Sequence, residues 1–581
     1  MKKNKKIELS LCMIVKNEAH NLRDCVEPLR PVLDEIIVVD TGSTDATKEV
    51  AKSLGAKVFD FTWCDDFSAA RNESIRHATC EYILWLDADD RVDNGEVKKI
   101  RYLKENFPSQ KNKAYFLIIR SISSIDGETR FLQLRIFPNL LRVKFEGRIH
   151  EQVSHILRKL RVDLVNTDIA IIHKGYDNPE SIAHKSKRNL RILQKEIETD
   201  PENPIFNYHL GRTFFLLGEN EQAISHIKKV YENYEVRVKE KQFFLDCSLL
   251  LGELYTASKR YEEALSIYKD IERDYEKNAL IRIRLGEALF NLGQFHEAIR
   301  ELESSFANQF LVGLLPLNIE WNEYYRLYLL SQCYKKIGNV EKAKILFSQM
   351  QEKPCKHYKN LEKLGFLFLS QGEFEEALKY YVKVVEHGEG SDELYTNIGL
   401  CLKRIGQAAE AEEVLKKALV LNPKRMEALV NLGYIYYEQK EFLKAEDAFT
   451  KALSIDSNLD DVRLTLSEIY FRQLNLESLV DQCAALLKRL NLKFKLTINN
   501  FKDLSFLFEE IGNEYNRRRA FYLSLMAYQV SFLISPSNRI MELLLKEASR
   551  IHKVEAIINK IKEAIYFHKE NMQIRNYSPV I

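Results

Sequence analysis

Asp87, Asp89 and Asp90 stand together at the end of an apolar run, residues 82–86. Two carboxylates at i and i+2 just past a buried strand can hold a hard divalent cation against a diphosphate and neutralise it as it departs. Alone, such a pair is also what an ordinary solvated turn contains. Its weight comes from two more polar strand ends: Val15-Lys16-Asn17-Glu18 after the run 9–15, and Asp40-Thr41-Gly42-Ser43-Thr44-Asp45 after the run 36–39. In an open parallel α/β sheet, ligands bind beyond the carboxyl ends of the strands, so three polar ends on one edge define a site. No Gly-x-Gly-x-x-Gly or Gly-Lys-Ser/Thr loop follows any of these runs, which removes the phosphate cradles of a dinucleotide cofactor and of a P-loop hydrolase. Val15-Lys16-Asn17-Glu18-Ala19 is not the glycine-rich basic loop of a nucleotidyltransferase either.

The elements that must position these residues are short apolar runs at 9–15, 36–39, 57–61 and 82–86, alternating with amphipathic stretches at 21–33, 44–54 and 67–79. That alternation predicts β-α-β units and a mainly parallel sheet up to about Tyr176. Two further polar motifs abut apolar runs: Phe145-Glu146-Gly147-Arg148-Ile149-His150-Glu151, and Ile171-Ile172-His173-Lys174-Gly175-Tyr176.

Beyond residue 189 the β-like runs stop and a long period takes over. Gly252 and Gly286, then Ser331, Gly365, Gly399, Gly433 and Ser467, are spaced by 34 within each group. Twelve residues after each comes a small residue in most copies (Ala264, Ala298, Ala343, Ala377, Ala411, Ala445), at plus seven often a glycine (Gly293, Gly338, Gly372, Gly406), and at plus sixteen a large side chain (Tyr268, Phe347, Tyr381, Phe449). Small residues let two antiparallel helices approach closely, and the aromatic residues are expected to fill the gap to the next pair. The pattern resembles the tetratricopeptide repeat. Gly211 opens an earlier copy and Gly512 a late one, and two steps of 45 each imply an 11-residue insertion, the first containing residues 310–316. The expected organisation is a catalytic domain over 1–180, a linker helix over 181–200, repeats over 201–540 and capping helices over 541–581. The basic stretch Lys185, Lys187, Arg188 and Arg191 reads as a solvated face of the linker helix.

At 581 residues, one core is not enough. Lys+Arg 86 against Asp+Glu 84 leaves a formal charge of +2, so no global field draws the chain to nucleic acid or to an anionic membrane, and neither is expected as a partner. Nine scattered cysteines without a Cys-x-x-Cys pair read as reduced thiols, hence a cytoplasmic protein. The apolar stretch near the start breaks at Lys16-Asn17-Glu18, and no run of eighteen apolar residues occurs, so neither a signal peptide nor a membrane span is expected.

The segment from Ile36 to Thr47, then Ala70-Arg71-Asn72, then Tyr82 to Asp90, in that order and spacing, resembles the inverting family 2 glycosyltransferases of the GT-A fold over roughly residues 7–176. The fold class implied is an α/β GT-A (Rossmann-like) domain followed by an all-α tetratricopeptide solenoid. By that resemblance Asp40 meets the uracil or ribose of a UDP-sugar, Asp87 the nucleoside, and Asp89 the Mn²⁺ or Mg²⁺. Val15, Asn17 and Glu18 line the nucleotide floor, and Arg71 binds uridine or diphosphate. Family members with a His-Glu pair and an upstream Arg-x-Phe, here Arg135-Ile136-Phe137, suggest an acceptor loop around His150-Glu151. Inversion needs a base opposite the departing diphosphate, and Glu151 is the candidate; His173 completes the metal shell as a neutral imidazole. Structural readings stand beside these: Asp40 as an acid at a helix N-terminus, Glu18 as a helix cap, Arg71 as a surface arginine, Glu151 as an ion-pair partner, His173 as a satisfied strand-end residue. Thr41 stands where the family often has a second acid. The Gln-x-x-Arg-Trp motif of processive synthases is missing, which favours adding one or few sugars.

The function expected is metal-dependent inverting transfer of a sugar from a nucleotide-sugar to a polypeptide recruited by the repeats. A cell-envelope polysaccharide or lipid-linked glycan as acceptor, and a non-catalytic repeat scaffold, are the alternatives; a homodimer is left open.

Overall fold

The computed structural model describes residues 7–123, 127–149, 151–174, 179–275, 278–305, 317–388, 390–494, 498 and 500–570. Two compact units divide the chain, Met1–Leu364 and Gly365–Ile581.

The first unit opens on an eight-stranded sheet: β1 Leu9–Val15, β2 Glu35–Asp40, β3 Lys57–Asp60, β4 Tyr82–Trp85, β5 Asp90–Arg91, β6 Lys113–Ser123, β7 Gly127–Pro138 and β8 Asp163–His173, in the order β3-β2-β1-β4-β7-β6-β8-β5. β3, β2, β1 and β4 run parallel, joined through helices α1 (Ala19–Val26), α2 (Thr47–Ser53) and α3 (Phe67–Arg76). Near-continuous burial of β1, β2 and β4 is what a sheet covered on both faces requires. α1 is shorter than the pattern at 21–33 predicts: it gives way to a 3₁₀ turn at Glu27–Leu29, where Pro28 has no N–H to continue the helix.

The expectation of a mainly parallel sheet needs correcting, because the second half is mixed. β6 and β7 are separated by three residues, too few for a crossover, so they pair antiparallel; β7 then lies antiparallel to β4, and β5 antiparallel to β8. That half brings the Asp90 end of the acidic turn beside His173 across the β5–β8 ladder. The far end of β7 carries Arg130, whose backbone bridges Leu317, while Glu128 accepts from Arg120, Arg130 and His357, so the strand pair is tied to the helical part of its own unit.

That helical part stacks antiparallel hairpins, among them Lys241–Ala257 with Tyr261–Glu272 and Ala279–Asn291 with Phe295–Ser304; the second unit has Asp392–Arg404 with Ala408–Leu421 and Met426–Glu438 with Phe442–Ile455. Where the small residue of the first helix is glycine, it faces the plus-sixteen residue of its own hairpin. A Cβ on Gly399 would lie 2.5 Å from Leu415 Cγ, and one on Gly365 2.6 Å from Tyr381 Cε1. The plus-sixteen side chains therefore fill space inside their own pair, and Tyr268 also faces Arg284 and Glu287 of the next one. The plus-seven turn is left-handed with or without glycine: Gly293, Gly338, Gly372 and Gly406 have positive φ, and so do Lys259, Lys440, Leu474 and Arg519 in copies lacking it. Closing the helix with an αL residue is thus demanded by the hairpin, and glycine is its cheapest occupant. Residues 310–316 and Tyr176, and the Lys185 side chain, fall outside the described residues.

The nine cysteines are free thiols. Among the described residues, no helix is long and apolar enough to cross a membrane.

Two substitutions check the hairpin geometry by thermal unfolding. Lys440→Gly, which relieves a left-handed non-glycine, is expected to stabilise the protein by about 0.5–1 kcal/mol. Gly399→Leu, which drives a side chain into Leu415, is expected to destabilise it by about 1–3 kcal/mol; no loss in the second would mean the two helices are not in contact at that glycine.

Candidate functional site

At the carboxyl ends of β1 and β2 the two loops are laced together. Asn17, held at φ 57°, donates its backbone N–H to Ser43 Oγ (2.8 Å), and its Oδ1 accepts from the Thr44 N–H (2.7 Å). Val15 ends β1 in register with Asp40, and its carbonyl accepts from the Thr41 N–H and hydroxyl, so Thr41 closes the strand ends. Glu18 sits at the N-cap position before α1 but its side chain caps no backbone N–H; its Oε2 accepts from the Asn21 side chain (2.8 Å). Asp40 is almost fully buried. Its Oδ1 accepts from the N–H groups of Gly42 (3.0 Å) and Ser43 (2.9 Å), ordering the turn rather than capping α2, where Asp45 takes the first N–H. The other oxygen of Asp40, Oδ2, is buried without a hydrogen-bond partner. A buried lone pair of this kind is costly unless an N–H or O–H reaches it.

Beyond β4 the chain turns on itself: the Asp87 N–H donates to Asp90 Oδ2 (2.9 Å) and the Asp90 N–H to the Asp87 carbonyl (3.1 Å). Two buried arginines converge on this turn. Arg71, from α3, donates through Nη2 to Asp87 Oδ1 (2.8 Å) and through Nε to Glu151. Arg135, from β7, lies 3.1 Å from Asp90 Oδ2 and 3.5 Å from Asp87 Oδ2. Both guanidinium groups lie over the Trp85 ring, 4.0 and 3.8 Å from its centre, and the indole N–H donates to the Leu134 carbonyl. Burial opposes the charge of Asp87, but Arg71 and Arg135 outweigh it and hold its carboxyl well below the usual range.

Asp89 has the opposite environment. Burial pushes its carboxyl up to about 6; His173 at 3.4 Å pulls it down, while Asp87, Asp90 and Glu18 add repulsion. His173 Nδ1 stands 2.9 Å from Asp90 Oδ1. Burial works against the imidazolium, but Asp90 and Asp89 raise the His173 pKa overall. Asp90, fully buried, is occupied at both oxygens, by His173 on one side and by Arg135 and the Asp87 N–H on the other. It orients the cluster, and an imidazole that donates Nδ1–H to it presents Nε2 as a ligand.

Asp87, Asp89, Asp90 and His173 bring one ligand atom each to within 4.8 Å of one another. Three carboxylates and an imidazole are a donor set that could hold a hard divalent cation such as Mn²⁺ or Mg²⁺. The structure thus gathers Asp87, Asp89 and His173 with Arg71 and Glu151 on the same turn, and Val15, Asn17, Glu18 and Asp40 at the neighbouring strand ends. His150 lies outside the described residues. Two members went unassigned in the sequence reading: Asp90 as the orienting acid, and Arg135 as its counter-charge. The signal for Arg135 is a lone cation inside the apolar strand segment Leu134-Arg135-Ile136-Phe137, which must find a partner when buried.

Comparison with known proteins follows this geometry. Residues 10–110 match the Glycosyl transferase family 2 model, and residues 248–309, 392–425 and 427–459 match tetratricopeptide repeat models. Residues 329–355 match a PPR repeat model. The chain is 28% identical over 335 residues to the SPbeta prophage-derived glycosyltransferase SunS of Bacillus subtilis (strain 168), covering 54% of this chain and 78% of that one. It is 34% identical over 192 residues to an uncharacterized glycosyltransferase of Rickettsia bellii (strain RML369-C), covering 32% and 62%. Among solved structures, a tetratricopeptide repeat protein from Parabacteroides merdae aligns with 48% of this chain and 98% of its own at TM-score 0.30 and 18% identity.

Because burial raises Asp89, its protonated form supports the fold below about pH 4, and that support is lost as the pH rises through about 6. A divalent cation should take the proton's place above that pH. A fixed Mn²⁺ concentration, about 100 times its Kd at pH 7.5, is therefore expected to stabilise the protein by about 2.7 kcal/mol at that pH and far less at pH 5. Asp89→Asn should abolish the gain at pH 7.5; an equal gain at both pH values, or in the variant, would place the ion elsewhere.

Proposed function

From the premise that this is a glycosyltransferase, with a family 2 domain ahead of tetratricopeptide repeats, we propose that it moves a sugar from a UDP-sugar to a polypeptide acceptor held by the repeats, with inversion and with Mn²⁺ or Mg²⁺ as cofactor. The observation that carries this reading is the cluster of Asp87, Asp89, Asp90 and His173 at the carboxyl edge of the sheet that also carries the unpartnered Oδ2 of Asp40. Asp40 Oδ2 suits the N–H of a uracil ring, and Asp89 with His173 suits a cation. Bound there, the ion would supply positive charge to the diphosphate of the donor. Val15, Asn17 and Glu18 form the floor beneath the nucleotide, in a loop held rigid by the Asn17–Thr44 and Asn17–Ser43 hydrogen bonds.

Arg71 serves this reading as a positioning residue: it fixes Asp87 with one nitrogen and Glu151 with another. Glu151 is the proposed general base, taking the proton of the acceptor nucleophile as the glycosyl bond forms. Its ion pair with Arg71 makes a purely structural role the alternative to be tested. The repeats support a polypeptide acceptor because stacked hairpins create an extended inner face of the kind that takes peptides.

Glu151→Gln separates the two roles. As base, its loss should cut transfer per folded molecule by about 10²–10⁴-fold while UDP affinity is kept. The acidic limb of the pH–rate profile should disappear with it. Near-normal turnover with lower thermal stability would reduce Glu151 to an ion-pair partner.

A further inference from the structure

In the second unit, first helices of successive hairpins form a row, and Met426–Glu438 and Asp460–Arg472 are neighbours in it. The helix Phe521–Ile534, although second in its own hairpin, packs against Asp460–Arg472. The terminal helix, Val554–Glu570, touches all three. Lys560 Nζ lies 5.7 Å from the centre of the Tyr437 ring and 3.4 Å from Gln529 Oε1. Phe567 meets Phe471 at 6.0 Å between ring centres, with the Arg472 guanidinium 5.7 Å from its own ring. His568 Nε2 stands 2.5 Å from the Leu533 carbonyl.

A helix that merely extended the row would touch its immediate neighbour and not Tyr437, which belongs to a helix beyond Asp460–Arg472. The terminal helix therefore lies over the row. Its contact face is amphipathic in the helical sense: Ile557, Ile561 and Ala564 are buried at i, i+4 and i+7, and Lys560 and Phe567 flank them seven residues apart. The face beneath is complementary in charge. Glu468 is buried, which opposes its ionisation, yet Lys560 and Arg472 beside it hold its carboxyl below the usual range.

We propose that this inner face, built around Tyr437, Glu468, Phe471 and Arg472, is a docking surface for an amphipathic helix with a lysine and an aromatic residue seven positions apart, and that the chain's own terminal helix occupies it in place of the polypeptide partner. The identity of that partner as acceptor rests on the reading of the repeats above. A tethered occupant acts at millimolar effective concentration, so a partner must displace it to bind. The face is then gated by its own chain, and weakening the helix, not the face, should open it.

The test uses the full chain and a fluorescein-labelled synthetic peptide of residues 553–570 as probe, and needs neither donor nor acceptor, so it stands or falls apart from the transfer reaction. Lys560→Glu removes the contacts to Tyr437 and Glu468; Phe567→Ala removes the contact to Phe471 and serves if the first variant folds poorly. Either is expected to bind the peptide at least 10-fold more tightly than the wild type does. Hydrogen exchange over 554–570 should accelerate by a similar factor, leaving the helix Leu476–Arg489 unchanged. Equal peptide binding by all three proteins, or none by any, would overturn the proposal, as would unaltered exchange in the terminal helix.

Discussion

Two buried guanidinium groups hold the catalytic end of this molecule together. Arg71 and Arg135 lie over one tryptophan ring and between them pair with Asp87 and Asp90, outweighing at Asp87 the burial that opposes its charge. Removing one partner of such a buried pair typically costs about 3–5 kcal/mol, because the other charge is left unpaired in a medium that solvates it poorly. The network ties α3, the turn after β4, β5, β7 and, through His173, β8. Asp89 is the member this compensation does not reach, and burial with repulsion from its neighbours leaves it ready to exchange a proton for a cation.

Much of this was legible in the residues. Asp87 and Asp89 announced themselves by falling directly after an apolar strand, and Asp40 by doing the same one strand earlier, because a sheet edge is where polar strand ends collect. The repeats were legible for a different reason: the closeness of two helices allows so little volume that the same position must be small every 34 residues. What could not be read depends on partners far apart in sequence. Arg135 is an arginine in a strand until β7 is known to lie against β4, and that pairing follows from the antiparallel β6–β7 step, which no parallel β-α-β pattern suggests. Asp90 looked like the spare acid of the turn, yet it is the one that both oxygens commit to the network. That the plus-sixteen side chains also meet the small residue of their own pair was not legible, since periodicity gives the spacing of a residue and not every neighbour it meets.

The two halves of the architecture solve separate problems. The sheet gathers charge at one edge, where geometry must be held closely, and does so with short strands and loops laced by Asn17, Ser43 and Thr44. The repeats, within each unit, stack similar hairpins, each closed by a left-handed residue whether or not glycine supplies it. In the second unit the inner face is already covered by the terminal helix, so binding there is a competition between a tethered and a free segment rather than occupation of an open groove.

The central claim is that the Asp87–His173 cluster and Asp40 together form a cation-dependent site for a nucleoside diphosphate. Calorimetric titration of UDP into the 581-residue chain, with Mn²⁺ and again in excess EDTA, tests it directly. The account expects UDP to bind at least 10-fold more tightly with Mn²⁺, a difference of about 1.4 kcal/mol or more. Equal affinity under both conditions would contradict the claim that this cluster holds the cation against the diphosphate.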